Sequence, residues 1–260
     1  MELVGLGTPA LTTSHVVLLI LAGLGAGIFN GVAGGGSLIS FPLLLALGYP
    51  ALTANITNTV GIWPGYLGSA AGFRNEIADQ RGRLARLSPA AVLGGILGAI
   101  LLLTTSTADF ARLAPWLVLG ASLLFAAQPL LRRALAGSSH TPPRTRPVLL
   151  IVGMFSASVY GGYFGAGMGV MLLAILGLAL PDSIVRTSGL RTVLSILVNG
   201  VAAAVFLIHG GLAWEAVGLL AIGGLFGGWV GARVALSIPA NALRAVVVLI
   251  GLGTAVKLLA

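Results

Sequence analysis

The chain has 260 residues, of which 57% are hydrophobic and 8% charged, and a formal net charge of +8. A soluble domain carries roughly a quarter of its residues as charges, so this composition excludes one, and lipid must solvate much of the surface. The positive charge invites a nucleic-acid reading, but the basic residues sit in short loops between apolar segments, where they orient a protein in a membrane; no nucleic-acid partner is expected. The absence of cysteine excludes disulfides, thiolate metal sites and thiol nucleophiles. Residues 1–14 hold no basic residue ahead of the first apolar run, which argues against a cleaved signal peptide.

Apolar runs of about twenty residues, the transmembrane-helix signal, recur along the chain. The first, residues 12–48, is interrupted at Gly31-Val-Ala-Gly34-Gly35-Gly36-Ser37. A helix is predicted over 52–73, then a basic loop with Arg74, Arg81, Arg83 and Arg86, then helices over 89–103 and 110–131. Residues 132–147, with Arg132, Arg133, Arg144 and Arg146, form a basic linker. The next apolar segment, 148–180, is interrupted at Gly161-Gly162-Tyr-Phe-Gly165-Ala-Gly167-Met-Gly169, and helices follow over 184–208, 212–236 and 242–260. At an offset of 131, Gly31, Gly34 and Gly36 fall on Gly162, Gly165 and Gly167, and both halves repeat the order break, helix, helix, helix. The pattern predicts an all-α polytopic membrane protein of two repeats, 1–131 and 148–260, each a glycine-broken segment plus three transmembrane helices.

Charge placement separates two topologies. If each broken segment crosses once, nine basic residues fall on one side and Arg112, Arg186, Arg191, Arg233 and Arg244 on the other. If each is a re-entrant hairpin, only Arg112 and Lys257 stay opposite, and the count becomes twelve against two. The positive-inside rule prefers the hairpins. Three crossings per half then invert the second repeat, so the hairpins enter from opposite faces, the 132–147 linker is cytoplasmic and both termini lie outside. For the second break, arms of about 20 and 15 Å at 1.5 Å per residue reach only to the midplane.

Irregular backbone at membrane depth is tolerated where protein buries it or water lines it. The half-helices after the breaks begin near Ser37 and Met168, and their N-termini carry partial positive charge. Facing each other, they would make an anion site without formal charge. The candidate substrate-binding set is Asn30, Gly34, Gly35, Gly36 and Ser37 at the first break and Tyr163, Gly165 and Gly167 at the second. It adds Asn55, Thr57 and Asn58 from the helix after the first break, and Thr187, Ser188 and Arg191 from the helix after the second. Amides and hydroxyls can replace the hydration shell of an oxyanion, although they also bond between helices. Arg191 has two readings: a bidentate grip on a carboxylate or sulfonate, or a side chain snorkelling to cytoplasmic headgroups, which is the one preferred. Trp63 and Tyr163 either pack or line a cavity.

Absences narrow the function. Glu2, Glu76, Asp79, Asp109, Asp182 and Glu215, and His15, His140 and His209, lie at segment ends or in loops, so a buried proton relay or cation site is not expected. No metal-ligand spacing, cofactor motif or catalytic set is present; Gly34 to Ser37 lacks a P-loop lysine, and the second cluster lacks a dinucleotide-site strand. No enzyme activity, metal or cofactor is expected.

The stretch from Gly27 through Asn30, Gly34-Gly35-Gly36, Pro42 and Leu47-Gly48 to Pro50, with Ala54 and Thr57 opening the next helix, resembles the first repeat of the TauE/SafE family of sulfite exporters. Gly162-Tyr-Phe-Gly165-Ala-Gly167-Met-Gly169 resembles the second, departing from the pattern at Ala166 and at Leu173, where a proline would stand. The resemblance covers nearly the whole chain. It implies movement of sulfite, sulfoacetate or other organosulfonates, or carboxylated anions, across a bacterial inner membrane. The expected function is therefore a secondary anion transporter, acting as an exporter. The alternative is a non-transporting membrane subunit that binds a partner through its cytoplasmic arginine loops, Arg81 to Arg86 among them. The sequence leaves the oligomeric state open.

Overall fold

The computed structural model describes residues 9–32, 34–137, 147–180, 182–234 and 240–259, with no strand among them. The elements in chain order are α1 (Thr13–Val32), α2 (Ser37–Ala46), α3 (Ala51–Gly72), a single turn α4 (Arg74–Ile77), α5 (Arg81–Thr104), α6 (Thr107–Gly137), α7 (Pro147–Tyr163), α8 (Met168–Ala179), α9 (Ile184–His209), α10 (Trp214–Val234) and α11 (Ala240–Leu259).

Two helices outrun their apolar runs. α5 starts at Arg81 rather than at residue 89, and α6 continues to Gly137, taking in residues 132–137 of the expected linker. Backbone hydrogen bonding does not stop where apolarity stops, and basic residues favour helix as much as leucine does. The rest of the linker, 138–146, lies outside the described residues. α7 opens on Pro147, where the missing N–H costs nothing.

Among the described residues, five helices are long and apolar enough to cross a membrane: Thr13–Val32, Arg81–Thr104, Thr107–Leu130, Val185–His209 and Trp214–Arg233. α3 has comparable length, 22 residues, but Thr53, Asn55, Thr57, Asn58 and Thr59 lower its apolarity. All five are buried, so this polar stripe faces protein rather than lipid. Lipid-facing positions are apolar instead, as with Leu93 on α5, Leu123 on α6 and Phe226 on α10, all well exposed.

The helices on either side of each glycine cluster pack against each other. Gly161 packs on the Met168 side chain, and seven to eight residues further from the turn Gly153 faces Ile175, so α8 runs back along α7. Gly36 sits on the Ala26 backbone and Ile39 lies against Gly25, so α2 likewise returns along α1.

The halves interlock. α1 and α3, from the first half, pack mainly on α10 of the second, while α7 and α9 pack on α5, and α6 meets α11. Glycine makes the approach possible. A Cβ on Gly31 would stand 2.7 Å from the Ala232 amide nitrogen, on Gly65 2.8 Å from the Gly224 carbonyl, and on Gly94 2.6 Å from the Phe155 carbonyl. Lipid supplies no hydrophobic drive between helices, so this close packing carries the association. Ser69 adds hydrogen bonds to the carbonyls of Gly65 and, across the interface, Gly228.

The loop before α5 is fastened to the start of α9. Arg83 pairs with Asp182, and Arg186 with Asp79 at 2.8 Å. Gln80, buried, donates through Nε2 to the Arg186 carbonyl at 2.9 Å. At the opposite end Ala213, just before α10, donates its amide to Thr57 Oγ1 at 3.0 Å.

Gly27→Ala places a methyl group 2.6 Å from the Gly228 nitrogen, whereas Gly218→Ala, on the same α10, meets nothing within 4 Å. The first should destabilise by about 1–3 kcal/mol and the second should be neutral or stabilising by up to about 1 kcal/mol; thermal unfolding in detergent compares them. The Asp79 carboxyl is held below its ordinary 3.8, chiefly by the hydrogen bond from Arg186. Its contribution to stability is therefore complete above pH 3.8 and is lost as pH falls through the lowered value. Asp79→Asn should flatten the acid limb of a stability-versus-pH curve by removing that contribution at neutral pH, so that variant and wild type converge as the pH falls through the lowered value.

Candidate functional site

The two breaks meet. Gly34 has φ +83°, and Gly165 and Gly167 have φ +81° and +80°, a left-handed backbone that glycine adopts without a steric penalty. A Cβ on Gly34 would fall 2.7 Å from Gly169 Cα, and one on Gly169 would fall 2.5 Å from Gly34 Cα. The hairpin tips therefore touch backbone to backbone, with no room for a side chain between them.

From this contact α2 runs 10 residues, about 15 Å, towards the α3 start, and α8 runs 12, about 18 Å, towards Asp182 at the opposite end. Together they match a hydrocarbon core of about 30 Å. The entering arm of the second hairpin is longer than the expected length of about 20 Å, at 17 residues or about 26 Å. α1 has 20 residues and α7 runs on to Tyr163, because the chain overshoots before it turns back: the Gly34 amide reaches back to the Phe29 carbonyl at 2.8 Å and the Gly165 amide to Tyr160 at 3.3 Å.

Both returning helices begin at this contact, so two N-termini converge on it. The first tip is tied by Asn30, whose Oδ1 accepts from the Gly36 amide at 2.9 Å. The second is tied by Tyr160, whose hydroxyl donates to the Ala166 carbonyl at 2.6 Å. Gly35 packs on the Phe125 ring, and Ser37, buried, opens α2.

Arg191 corrects the preferred snorkelling reading. It is 1% exposed, and its Nη2 donates to the carbonyls of Asn30 at 2.9 Å and Gly31 at 3.3 Å, while Nη1 occupies the space beside Gly34. The last carbonyls of α1 have no partner within the helix, and the negative end of the helix dipole favours a cation there. That demand draws the guanidinium inward, and it is visible only once α1 and α9 are side by side.

The other candidates divide. Asn30, Gly34, Gly35, Gly36, Ser37 and Arg191 gather at the first tip, with Gly165 and Gly167 at the second. Asn55 and Tyr163 are joined to each other, Asn55 Nδ2 donating to the Tyr163 carbonyl at 2.9 Å. The Tyr163 hydroxyl meets Thr105 Oγ1 at 3.3 Å. Thr57 is spent on the start of α10 and Asn58 accepts from Ser40. Thr187 bonds the Ser183 carbonyl, and the Ser188 carbonyl accepts from Thr192. Trp63 packs, its Nε1 donating to the Ile196 carbonyl at 3.0 Å. Gly169, at the contact itself, lies outside the candidate set, and Ser40 and Tyr160 are structural partners that the set did not name. Gly169 belongs to the same glycine cluster and spacing could have included it; Ser40 and Tyr160 carry no signal apart from their partners. Among the described residues no group of three or more His, Asp or Glu is placed to hold a metal.

Arg191→Lys tests the buried placement. An ammonium lacks the planar fork that spans two carbonyls, and a buried carbonyl left unsatisfied costs about 1–3 kcal/mol. The lysine variant should therefore melt clearly lower in detergent; a snorkelling position would tolerate it.

Known proteins are similar to this chain over most of its length. The chain is 28% identical over 240 residues to a probable membrane transporter protein of Haemophilus influenzae, covering 90% of each chain. It is 27% identical over 250 residues to the probable membrane transporter protein ORF9 of Sinorhizobium sp, covering 94% of this chain and 92% of the other. It is 24% identical over 249 residues to the probable membrane transporter protein YfcA of Escherichia coli, covering 94% and 88%. No solved structure matches it significantly. The family model for the sulfite exporter TauE/SafE matches residues 19–258, and the chain belongs to that family.

Proposed function

We propose that the protein is a secondary transporter that exports small sulfur-containing or carboxylated anions, such as sulfite, sulfoacetate or other organosulfonates, across a bacterial inner membrane. The observation that carries the proposal is the convergence of the α2 and α8 N-termini where Gly34 meets Gly169. Two positive helix ends at mid-depth, with bare backbone between them, form an anion site. Family membership supplies the sulfur chemistry, and the relatives carry transporter names.

The two halves act as inverted repeats, each a re-entrant hairpin and three crossings. Three features support this. Each hairpin turns back along its own first arm, and the packing partners are exchanged between the halves. The ion pairs Arg83–Asp182 and Arg186–Asp79 join loops that single crossings would put on opposite faces of the membrane. Arg83 and Arg186 are thereby engaged within the chain, which weakens the reading of a subunit that docks partners through its arginine loops.

Outward movement of an anion from a negative cytoplasm is downhill by about 2.3 kcal/mol per charge at 100 mV, so export needs no buried coupling carboxylate. Proteoliposomes loaded with sulfite or sulfoacetate should release them faster than protein-free vesicles, and faster still with the exit side positive. Folded protein that moves none of these anions would sink the proposal.

A further inference from the structure

The two tips differ in what they leave for a ligand. Asn30 is 1% exposed. Its carboxamide faces the Gly36 amide, and since that group is a donor, the atom turned to it is oxygen. The Nδ2 group beside the α2 N-terminus has no hydrogen-bond partner. Removing both amide hydrogens from water without an acceptor is costly, and helix α2, with 10 residues, directs its positive end to the same place. A buried donor without a protein acceptor beside a helix N-terminus is a group that a ligand oxygen would satisfy.

The second tip offers no such side chain. At the repeat offset of 131, Asn30 corresponds to Gly161, where the Met168 thioether fills the space. The Tyr160 hydroxyl is spent on Ala166. Phe164, in the turn itself, is enclosed by aromatic rings, edge-on to Phe41 at 5.3 Å and close to Phe110 and Tyr160, each at 6.4 Å. The first tip is tied by an acceptor that leaves donors over; at the second, Tyr160 leaves nothing and Asn55, bonded to the Tyr163 carbonyl, leaves only an acceptor.

Resting on the transport reading above, we infer that in the site between the two helix ends the side-chain donor comes from the first tip alone. The Asn30 amide at the α2 N-terminus binds the ligand, and the α7–α8 tip contributes its helix end and packing but no side-chain donor. Because the Asn30 oxygen is committed to Gly36, the side chain presents only donors. It therefore selects an acceptor-only group, the deprotonated oxygens of a sulfite or sulfonate, over a hydroxyl-bearing neutral ligand.

The isosteric variant Asn30→Asp separates binding from structure. A carboxylate oxygen still accepts from Gly36 and suits a helix N-terminus, so the fold should hold or gain stability, while the donor becomes a negatively charged acceptor. Radiolabelled sulfite uptake into proteoliposomes and sulfite-induced shifts of the melting temperature are measured together. Asn30→Asp should raise the half-saturating sulfite concentration by about tenfold or more and abolish the sulfite-induced shift. Tyr160→Phe should lower the melting temperature and leave half-saturation unchanged. If Asn30→Asp does not yield folded protein, Asn30→Ser, whose hydroxyl also accepts while the amide is lost, is read by the same criteria. Wild-type half-saturation in a folded Asn30 variant overturns the inference, as does an equal rise in Tyr160→Phe; either result leaves the transport reading standing. Absence of sulfite and sulfonate flux in the wild-type protein removes that reading instead.

Discussion

The contact between Gly34 and Gly169 is the constraint on which the rest of the architecture depends. Two hairpins can meet tip to tip only if neither tip carries a side chain, and a sharp return in so little space requires positive φ at Gly34, Gly165 and Gly167. Once the tips touch, the directions of α2 and α8 are set and their N-termini converge. The remaining helices form a scaffold that keeps two irregular turns away from lipid, where unsatisfied backbone would be intolerable.

That scaffold uses the same device on a larger scale. Glycines along α1, α3 and α10, and along α5 and α7, allow helix backbones to approach to distances that a methyl group would prevent. Packing is then the adhesive, reinforced at one end by ion pairs outside the apolar zone and at the other by the Thr57 hydroxyl on the α10 start. Polar side chains within the spans are mostly consumed by such bonds. Two buried amides are half used: Asn55 leaves its Oδ1 acceptor unpaired, and Asn30 leaves its Nδ2 donor.

Arg191 unites the two themes. Its charge is buried at the end of α1, next to the contact between the tips, and it reaches there from α9 in the other half. It fastens the first turn from across the interface and also places a full positive charge in the neighbourhood of two positive helix ends. A cation so placed favours the anion binding proposed above.

The sequence by itself determined the helical class and the sites of interruption. Run length and glycine clustering are local properties, and a 33-residue apolar segment cannot be a straight span. It also determined the sign of the charge asymmetry. Segment ends were less legible, since α5 and α6 extend through arginines that apolarity alone would exclude. Only the tertiary structure decided which polar residues remain for a ligand. Thr57, Asn58 and Asn30 look alike along the chain. The first is taken by Ala213, the second by Ser40, and the third keeps a free amide group. Arg191 was ambiguous for the same reason. Hydrogen-bond satisfaction is a property of pairs, and the partner of Arg191 lies 160 residues away in sequence, brought beside it only when the two halves interlock.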